Sequence, residues 1–354
     1  MKVQEKLLLS PEQLTPSIRG WKIDGVFNPA AVRVGKKIVL YVRVAERSPQ
    51  HETMVKCPII SGVYKISHER IHKDKVESEE GKMVFLKDGT CRLTNLSHFR
   101  EVILDESGFN VESIANMPIF TGRPGDGDYG VEDPRIIKMG NTYIMTYVSI
   151  SLHEYVCTSL AFSKDLKEWD RKGIIFRLQN KDVVVFPERI NGKYVALHRP
   201  EGNFEFVKPT IWISYSPDLI HWGEEKSIIR PRTNSWDSVR IGAGCPPIKT
   251  EEGWLEIYHG ATDINEQSVY SAGAVLLDLK DPSKVLARSP KNKPLFCPKE
   301  NYECNGFMNN VVFPSGIVPD TEAGYVLLYC GGADKYISVK KISVGDILNS
   351  LQYY

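Results

Sequence analysis

The stretch Tyr129-Gly130-Val131-Glu132-Asp133-Pro134-Arg135, followed after a short polar turn by Tyr143-Ile144-Met145-Thr146-Tyr147, sets the pattern of this chain. The pattern is a proline, a turn and an aromatic-rich strand. It recurs from Asn28-Pro29 to Leu40-Tyr41-Val42-Arg43, and from Phe186-Pro187 to Tyr194-Val195-Ala196-Leu197-His198-Arg199. It returns from Pro246-Pro247 to Trp254-Leu255-Glu256-Ile257-Tyr258-His259-Gly260, and from Phe313-Pro314 to Tyr325-Val326-Leu327-Leu328-Tyr329. One such unit cannot bury its apolar face alone, so copies must stack on one another. Five units in 354 residues leave about 70 residues for each, somewhat more than a four-stranded propeller blade needs. The expected fold is all-β, a five-bladed β-propeller. It forms one domain over residues 1–354, with residues 1–20 an arm on the propeller or on a partner subunit.

The rest of the sequence agrees with strands. Runs rich in Val, Ile and Tyr alternate with Gly, Asn, Asp and Pro turns. Helical spacing is confined to residues 10–14 and 344–351. The heptapeptides Ser163-Lys164-Asp165-Leu166-Lys167-Glu168-Trp169 and Ser216-Pro217-Asp218-Leu219-Ile220-His221-Trp222 share S-x-D-L-x-x-W. They read as structural turns, the Ser and Asp bonding local backbone while Leu and Trp pack between blades. Residues 68–82, rich in Lys and Glu, read as a solvated excursion. They sit in a long Pro29–Pro134 interval that has room for a strand closing the ring with the C-terminus.

A net charge of +1 and a pI near 7.6 give no electrostatic case for nucleic acid or a membrane surface. The seven cysteines are scattered with no CxxC pair, which suits a reducing compartment rather than a disulfide framework or a zinc site. Leu7-Leu8-Leu9 is too short for a signal sequence, and no apolar run is long enough to span a bilayer. The expectation is a cytoplasmic protein, with homo-oligomerisation left open.

Propellers bind ligands at one mouth of the axial channel. The aligned copies offer Asn28, Asp133, Phe186, Cys245 and Phe313 before the prolines, and Arg43, Ser149, His198, Arg199, His259 and Asp334 at the far strand ends. Asp133 is the sharpest candidate acid; the bland alternative is an aspartate accepting turn hydrogen bonds. Strand alternation puts Glu132 on the opposite face, so the two are not expected to act as a pair. Inverting hydrolysis of a glycoside needs an acid plus a second carboxylate to activate water. Glu188, Asp237, Asp263 and Asp334 are candidates for that second group. Phosphorolysis needs the acid and cations that seat the phosphate, and Arg43, Lys181, Arg199, Arg240 and His259 can supply them. Tyr129, Trp212, Trp236, Tyr258 and Tyr336 can stack on sugar or fill the core between blades. Gly125-Asp126-Gly127-Asp128 lacks the remaining ligands of a calcium loop, and Gly242-Ala243-Gly244 lacks the strand–helix setting of a nucleotide site. No metal is expected.

The ordered motifs Gly130-Val131-Glu132-Asp133-Pro134-Arg135, Asn180-Lys181-Asp182, Phe186-Pro187-Glu188, His198-Arg199-Pro200, Arg240-Ile241-Gly242-Ala243-Gly244, Tyr258-His259-Gly260 and Gly332-Ala333-Asp334 resemble glycoside hydrolase family 130. That family comprises β-mannoside phosphorylases and a smaller set of β-1,2-mannosidases. The resemblance implies a five-bladed propeller and no cofactor, with inorganic phosphate as co-substrate and a mannoside as partner. It implies that Asp133 donates its proton through the 3-hydroxyl of the mannosyl unit. Phosphate, held by Arg199, Arg240, His259 and Lys181, then attacks the anomeric carbon to give α-mannose 1-phosphate. Asn28 and Asp334 would grip sugar hydroxyls, with Arg43, Tyr129, His198 and Tyr258 also on the substrate side. Arg240 stands where a lysine is expected, which keeps the charge and changes the reach. Retained cations favour phosphorolysis, and the motifs lie nearest members acting on β-1,2-mannosides. An inverting β-1,2-mannosidase and a non-catalytic sugar-binding propeller are the alternatives. An arabinanase-like hydrolase needs three axial acids, and the basic strand ends argue against it.

Overall fold

The computed structural model describes residues 2–62, 64–177, 179–202 and 206–354. They fold almost wholly as antiparallel sheet. The first sheet is ordered Lys22–Val34, Lys37–Arg47, Asn95–Leu104, Val111–Ile114, and the second Val131–Met139, Thr142–Ser151, Tyr155–Ser163, Asp170–Phe176. The third runs Asn180–Val185, Tyr194–Pro200, Ile211–Ser216, Gly223–Ile229. The fourth runs Arg240–Ala243, Trp254–Ile264, Gln267–Leu277, Val285–Arg288, with Gln352–Tyr353 added at its edge. The fifth is Val312–Pro319, Tyr325–Gly332, Tyr336–Ser343 and, last in space though first in sequence, Gln4–Leu9.

Side-chain alternation explains why these sheets stack. Along Lys37–Arg47, Ile38, Leu40, Val42 and Val44 enter a core shared with the fifth sheet, while Val39 and Tyr41 enter one shared with the second. Both faces are buried, so the strand reads as a continuous apolar run. Three further cores lie between the second and third, third and fourth, and fourth and fifth sheets. Each sheet therefore has two neighbours.

The S-x-D-L-x-x-W turns are structural, as expected. Ser163 Oγ accepts from Leu166 N at 2.9 Å and Asp165 Oδ1 from Lys167 N at 2.9 Å. Ser216 and Asp218 repeat the arrangement, and Leu166 and Leu219 enter neighbouring cores.

Two expectations about chain ends and insertions change. The strand that joins the C-terminal hairpin is not in the Pro29–Pro134 interval. It is Gln4–Leu9, so much of the presumed arm is part of a sheet, with Leu8 and Leu9 buried. Residues 68–82 are not a loose excursion either. They belong to an insertion of two small sheets, Met54–Gly62 with Lys65–His72, and Val76–Glu80 with Met83–Leu86 and Cys91–Leu93. Val55, Cys57, Ile71, Val84 and Leu86 give it a core of its own. The polar residues between those positions are its solvent face, which is why the segment looks solvated in sequence.

Candidate active site

The first strands of the five sheets pack near one another, and a pocket of about 310 Å³ opens among them. Asn28, Arg43, Glu132, Asp133, Lys181, Asp182, Arg199, Arg240, His259 and Asp334 line it, with Tyr270 and Phe313. Four of these residues hold left-handed backbone: Asn28 at φ 47°, Asp133 at 49°, Asp182 at 55° and Asp334 at 50°. Asn and Asp tolerate this conformation better than other residues with a Cβ, and such residues gather at functional sites. The first three sit where strand register slips, between Phe27 and Ala30, Glu132 and Arg135, and Lys181 and Val184. Each slip turns a side chain that would follow the pleat into the pocket.

That distortion overturns the expectation for Glu132. Arg43 binds both carboxylates, Asp133 Oδ1 at 2.9 Å through one amino group and Glu132 through the other. Asp133 Oδ1 also accepts from Asn28 Nδ2 at 2.9 Å. A Cβ on Gly331 would lie 2.1 Å from Asn28 Oδ1, so only glycine lets Asn28 take this position. Burial works to raise Asp133, but Arg43, Arg135, Lys181 and the Asn28 hydrogen bond outweigh it and hold the carboxyl at about 2. Asp334 goes the other way: burial and the negative charges of Asp133 and Glu132 push it up against the pull of Arg43 and Lys82.

The other half of the pocket is cationic. Arg199 Nε lies 2.9 Å from Asp182 Oδ2, an ion pair off the hydrogen-bond axis, and its Nη2 lies 3.0 Å from Glu201 Oε1. His259 Nε2 is 3.5 Å from the same Asp182 oxygen. A Cβ on Gly242 would lie 2.2 Å from that oxygen and 2.5 Å from His259 Cε1, which explains a glycine there. Arg240, more exposed, is 4.0 Å from Glu201, and Lys181 is 3.6 Å from Glu132. Burial lowers His259 to about 4; Asp182 opposes this, and Arg199, Arg135 and Arg240 add to it. It is therefore a neutral hydrogen-bonding group at pH 7 and not one of the cations. Four cations face four carboxylates, so the pocket lining is close to neutral overall.

Three expected substrate residues lie outside the pocket. His198 is buried between Asn180 Nδ2 at 2.9 Å and Ser214 Oγ at 2.8 Å, stacked on Phe176 with centroids 4.4 Å apart. Tyr258 donates to Asp237 Oδ2 at 2.9 Å and accepts from Arg288 Nε at 2.9 Å. The reason is the strand period: His198 and Tyr258 immediately precede Arg199 and His259, and successive side chains point to opposite faces. Tyr129 turns away and donates to Cys91 O at 3.1 Å. Phe186 and Cys245 are core residues, and Ser149 bonds Ser159. In the third sheet the position equivalent to Asn28 and Asp133 is Asp182, not Phe186.

Of the second carboxylates considered for hydrolysis, only Asp334 reaches the pocket. Asp237 is sealed in a cluster with Arg232, Arg288 and Tyr258, while Glu188 pairs with Lys249 and Asp263 accepts from Ser268. Asp182, Tyr270 and Met308 were not among the expected site residues. The Asn180-Lys181-Asp182 motif contained the signal for the first; Tyr270 and Met308 arrive from neighbouring elements with no motif to mark them.

A β-sheet pocket lined by paired carboxylates and cations suits a polyhydroxylated ligand together with an anion. Comparison with known proteins agrees. Residues 98–353 match glycoside hydrolase family 130, described as beta-1,4-mannooligosaccharide phosphorylase. A beta-1,2-mannobiose phosphorylase of Listeria innocua is 34% identical over 364 residues, covering 99% of this chain and 97% of that protein. A 1,2-beta-oligomannan phosphorylase of Thermoanaerobacter sp. is 46% identical over 234 residues, 66% of this chain and 74% of its own. The solved structure of Listeria innocua beta-1,2-mannobiose phosphorylase with beta-1,2-mannobiose superposes with a TM-score of 0.87 at 33% identity, covering 99% of each chain. The chain belongs to glycoside hydrolase family 130.

Proposed function

We propose that this protein is an inverting β-mannoside phosphorylase. It would convert a β-1,2-linked mannobiose or oligomannoside and phosphate to α-mannose 1-phosphate and a shortened sugar. The observation that carries this reading is one pocket in which Asp133 faces Lys181, Arg199, Arg240 and His259. The names of the relatives support the phosphorolytic reaction, and three of them support the β-1,2 linkage.

In this reading a phosphate oxygen forms a bond to the anomeric carbon as the glycosidic carbon–oxygen bond breaks. The electron pair leaves on the glycosidic oxygen, which takes a proton originating on Asp133 and relayed by the mannosyl 3-hydroxyl. Asn28 and Asp334 hold the sugar, and Arg43 orients Asp133.

The protein's own groups keep Asp133 ionised, whereas an acid must carry a proton. Phosphate moves the balance part of the way. A unit negative charge about 6 Å away, at an effective dielectric near 20, raises a carboxyl by about two pKa units. Seating phosphate beside a nearly neutral lining therefore drives proton uptake by the carboxylates. For Asp133 this moves the carboxyl from about 2 towards about 4, so the protonated form becomes about a hundredfold more populated when the nucleophile is present, while the carboxylate still predominates at neutral pH.

The five sheets are read as the blades of one propeller over residues 1–354, with the pocket on its axis. The five inter-sheet cores and the N-terminal strand on the last sheet support this. The scattered cysteines, with no CxxC pair in the sequence, support a cytoplasmic setting. Product analysis of β-1,2-mannobiose with and without phosphate tests the reaction. Mannose 1-phosphate should form only when phosphate is supplied. Equal cleavage to free mannose in phosphate-free buffer would replace this reading with a mannosidase.

A further inference from the structure

The insertion over residues 54–93 is tied to the body beside the pocket. Ile60 N donates to Asp128 O at 2.8 Å, and Thr94 N donates to Lys82 O at 2.9 Å. Lys82 occupies the turn between Val76–Glu80 and Met83–Leu86, and its ammonium stands 3.8 Å from the centroid of the Phe307 ring. The ammonium makes no hydrogen bond or ion pair with another side chain among the described residues. Its charge is felt by Arg43, Glu132 and Asp334, which places it on the carboxylate side of the pocket.

Phe307 is 55% exposed, yet its backbone is held on both sides. Met308 N donates to Ala333 O at 3.2 Å, and a Cβ on Gly306 would lie 2.3 Å from that same oxygen. Ala333 and Asp334 both keep left-handed backbone, so the Phe307 loop is anchored to the strained corner that presents Asp334. Met308 itself lines the pocket. A firmly mounted, exposed aromatic ring and a lysine ammonium thus meet beside the pocket, the ring from the loop that precedes Val312–Pro319 and the ammonium from a turn of the insertion.

Resting on the phosphorylase reading above, we propose that Lys82 and Phe307 form the subsite for the departing mannosyl unit, which is the acceptor sugar in the reverse reaction. A pyranose offers a C–H face that packs on an aromatic ring and hydroxyls that accept from an ammonium. The pair stands on the side of Asp133 and Asp334, away from Arg199 and Arg240, where a sugar leaves and phosphate does not bind. The acceptor is therefore a neutral hexose or the end of a mannoside chain.

The test is synthesis from α-mannose 1-phosphate and mannose by wild type, Lys82→Ala, Phe307→Ala and Phe307→Trp. Both alanine variants are expected to raise KM for mannose by about tenfold or more, with Phe307→Trp near wild type. KM for mannose 1-phosphate should stay within about twofold in all four. Circular dichroism melts establish that the variants are folded; an unfolded Phe307→Ala leaves the decision to Lys82→Ala and Phe307→Trp. An unchanged mannose KM, or an equal rise in both KM values, with an active wild type overturns the subsite alone. A wild type that makes no disaccharide, and releases no mannose 1-phosphate from β-1,2-mannobiose, overturns the phosphorylase reading and this inference with it.

Discussion

Replacing Asp133 by asparagine separates the acid's chemistry from its place in the fold. The amide oxygen can still accept from Asn28 and Arg43, which both bond Oδ1 at 2.9 Å. What disappears is the charge and the proton. Asp133 is lowered from 3.8 to about 2, and at about 1.36 kcal/mol per unit this contributes about 2 kcal/mol to stability at neutral pH. Because the folded value is the lower one, that contribution is complete above pH 3.8 and fades as pH falls through 2. At pH 7 the variant should melt a few degrees lower at most. Its kcat should fall by about 10²–10⁴, the range for a general acid, with KM for the disaccharide within a few fold. Steady-state phosphorolysis and a thermal melt on the same preparation read both quantities. A variant with the expected melt that keeps its rate within about tenfold of wild type refutes the assignment of the acid.

Asp182 occupies the cation cluster much as a phosphate oxygen would, so Asp182→Asn should destabilise the protein by about 3 kcal/mol and phosphate should restore it. The melting temperature is expected to rise more with added phosphate in the variant than in wild type, and not with sodium chloride at equal ionic strength. An equal response in both proteins contradicts this role. Buried His198 and His259 are both lowered from 6.5 to about 4 by burial, so the unfolded chain binds more protons between those values. Stability should therefore be lost as pH falls from 6.5 towards 4, by at most about 3 kcal/mol per histidine. His198→Gln should remove that histidine's share of the pH dependence, to which buried His98 also contributes, measured by urea unfolding at several pH values.

The repeat of proline, turn and aromatic strand made the all-β fold legible, because stacked sheets bury both strand faces and leave apolar runs at regular intervals. Where a residue lay in that pattern was less legible. Asn28 and Asp133 stand out before prolines, and Arg43, Arg199, His259 and Asp334 at strand ends, and all six share the pocket. His198 and Tyr258 failed by one residue, which in a strand reverses the face. Glu132 failed for the opposite reason: alternation was assumed where a left-handed Asp133 breaks it. In the third sheet the proline marks the strand's outer end, and the equivalent bend comes at Asp182, which no proline follows. The insertion over residues 54–93 concealed a small core behind charged residues, and its Lys82 meets Phe307 through tertiary packing alone.

Phosphorolysis by this protein requires one inorganic anion seated opposite a single proton-giving carboxyl. A crystal structure of the protein soaked in phosphate would show whether that arrangement forms. The anion is expected within hydrogen-bond reach of Arg199, Arg240, Lys181 and His259, across the pocket from Asp133. Phosphate bound elsewhere, with Arg199 still locked to Asp182 and Glu201 and Arg240 turned to solvent, would contradict it.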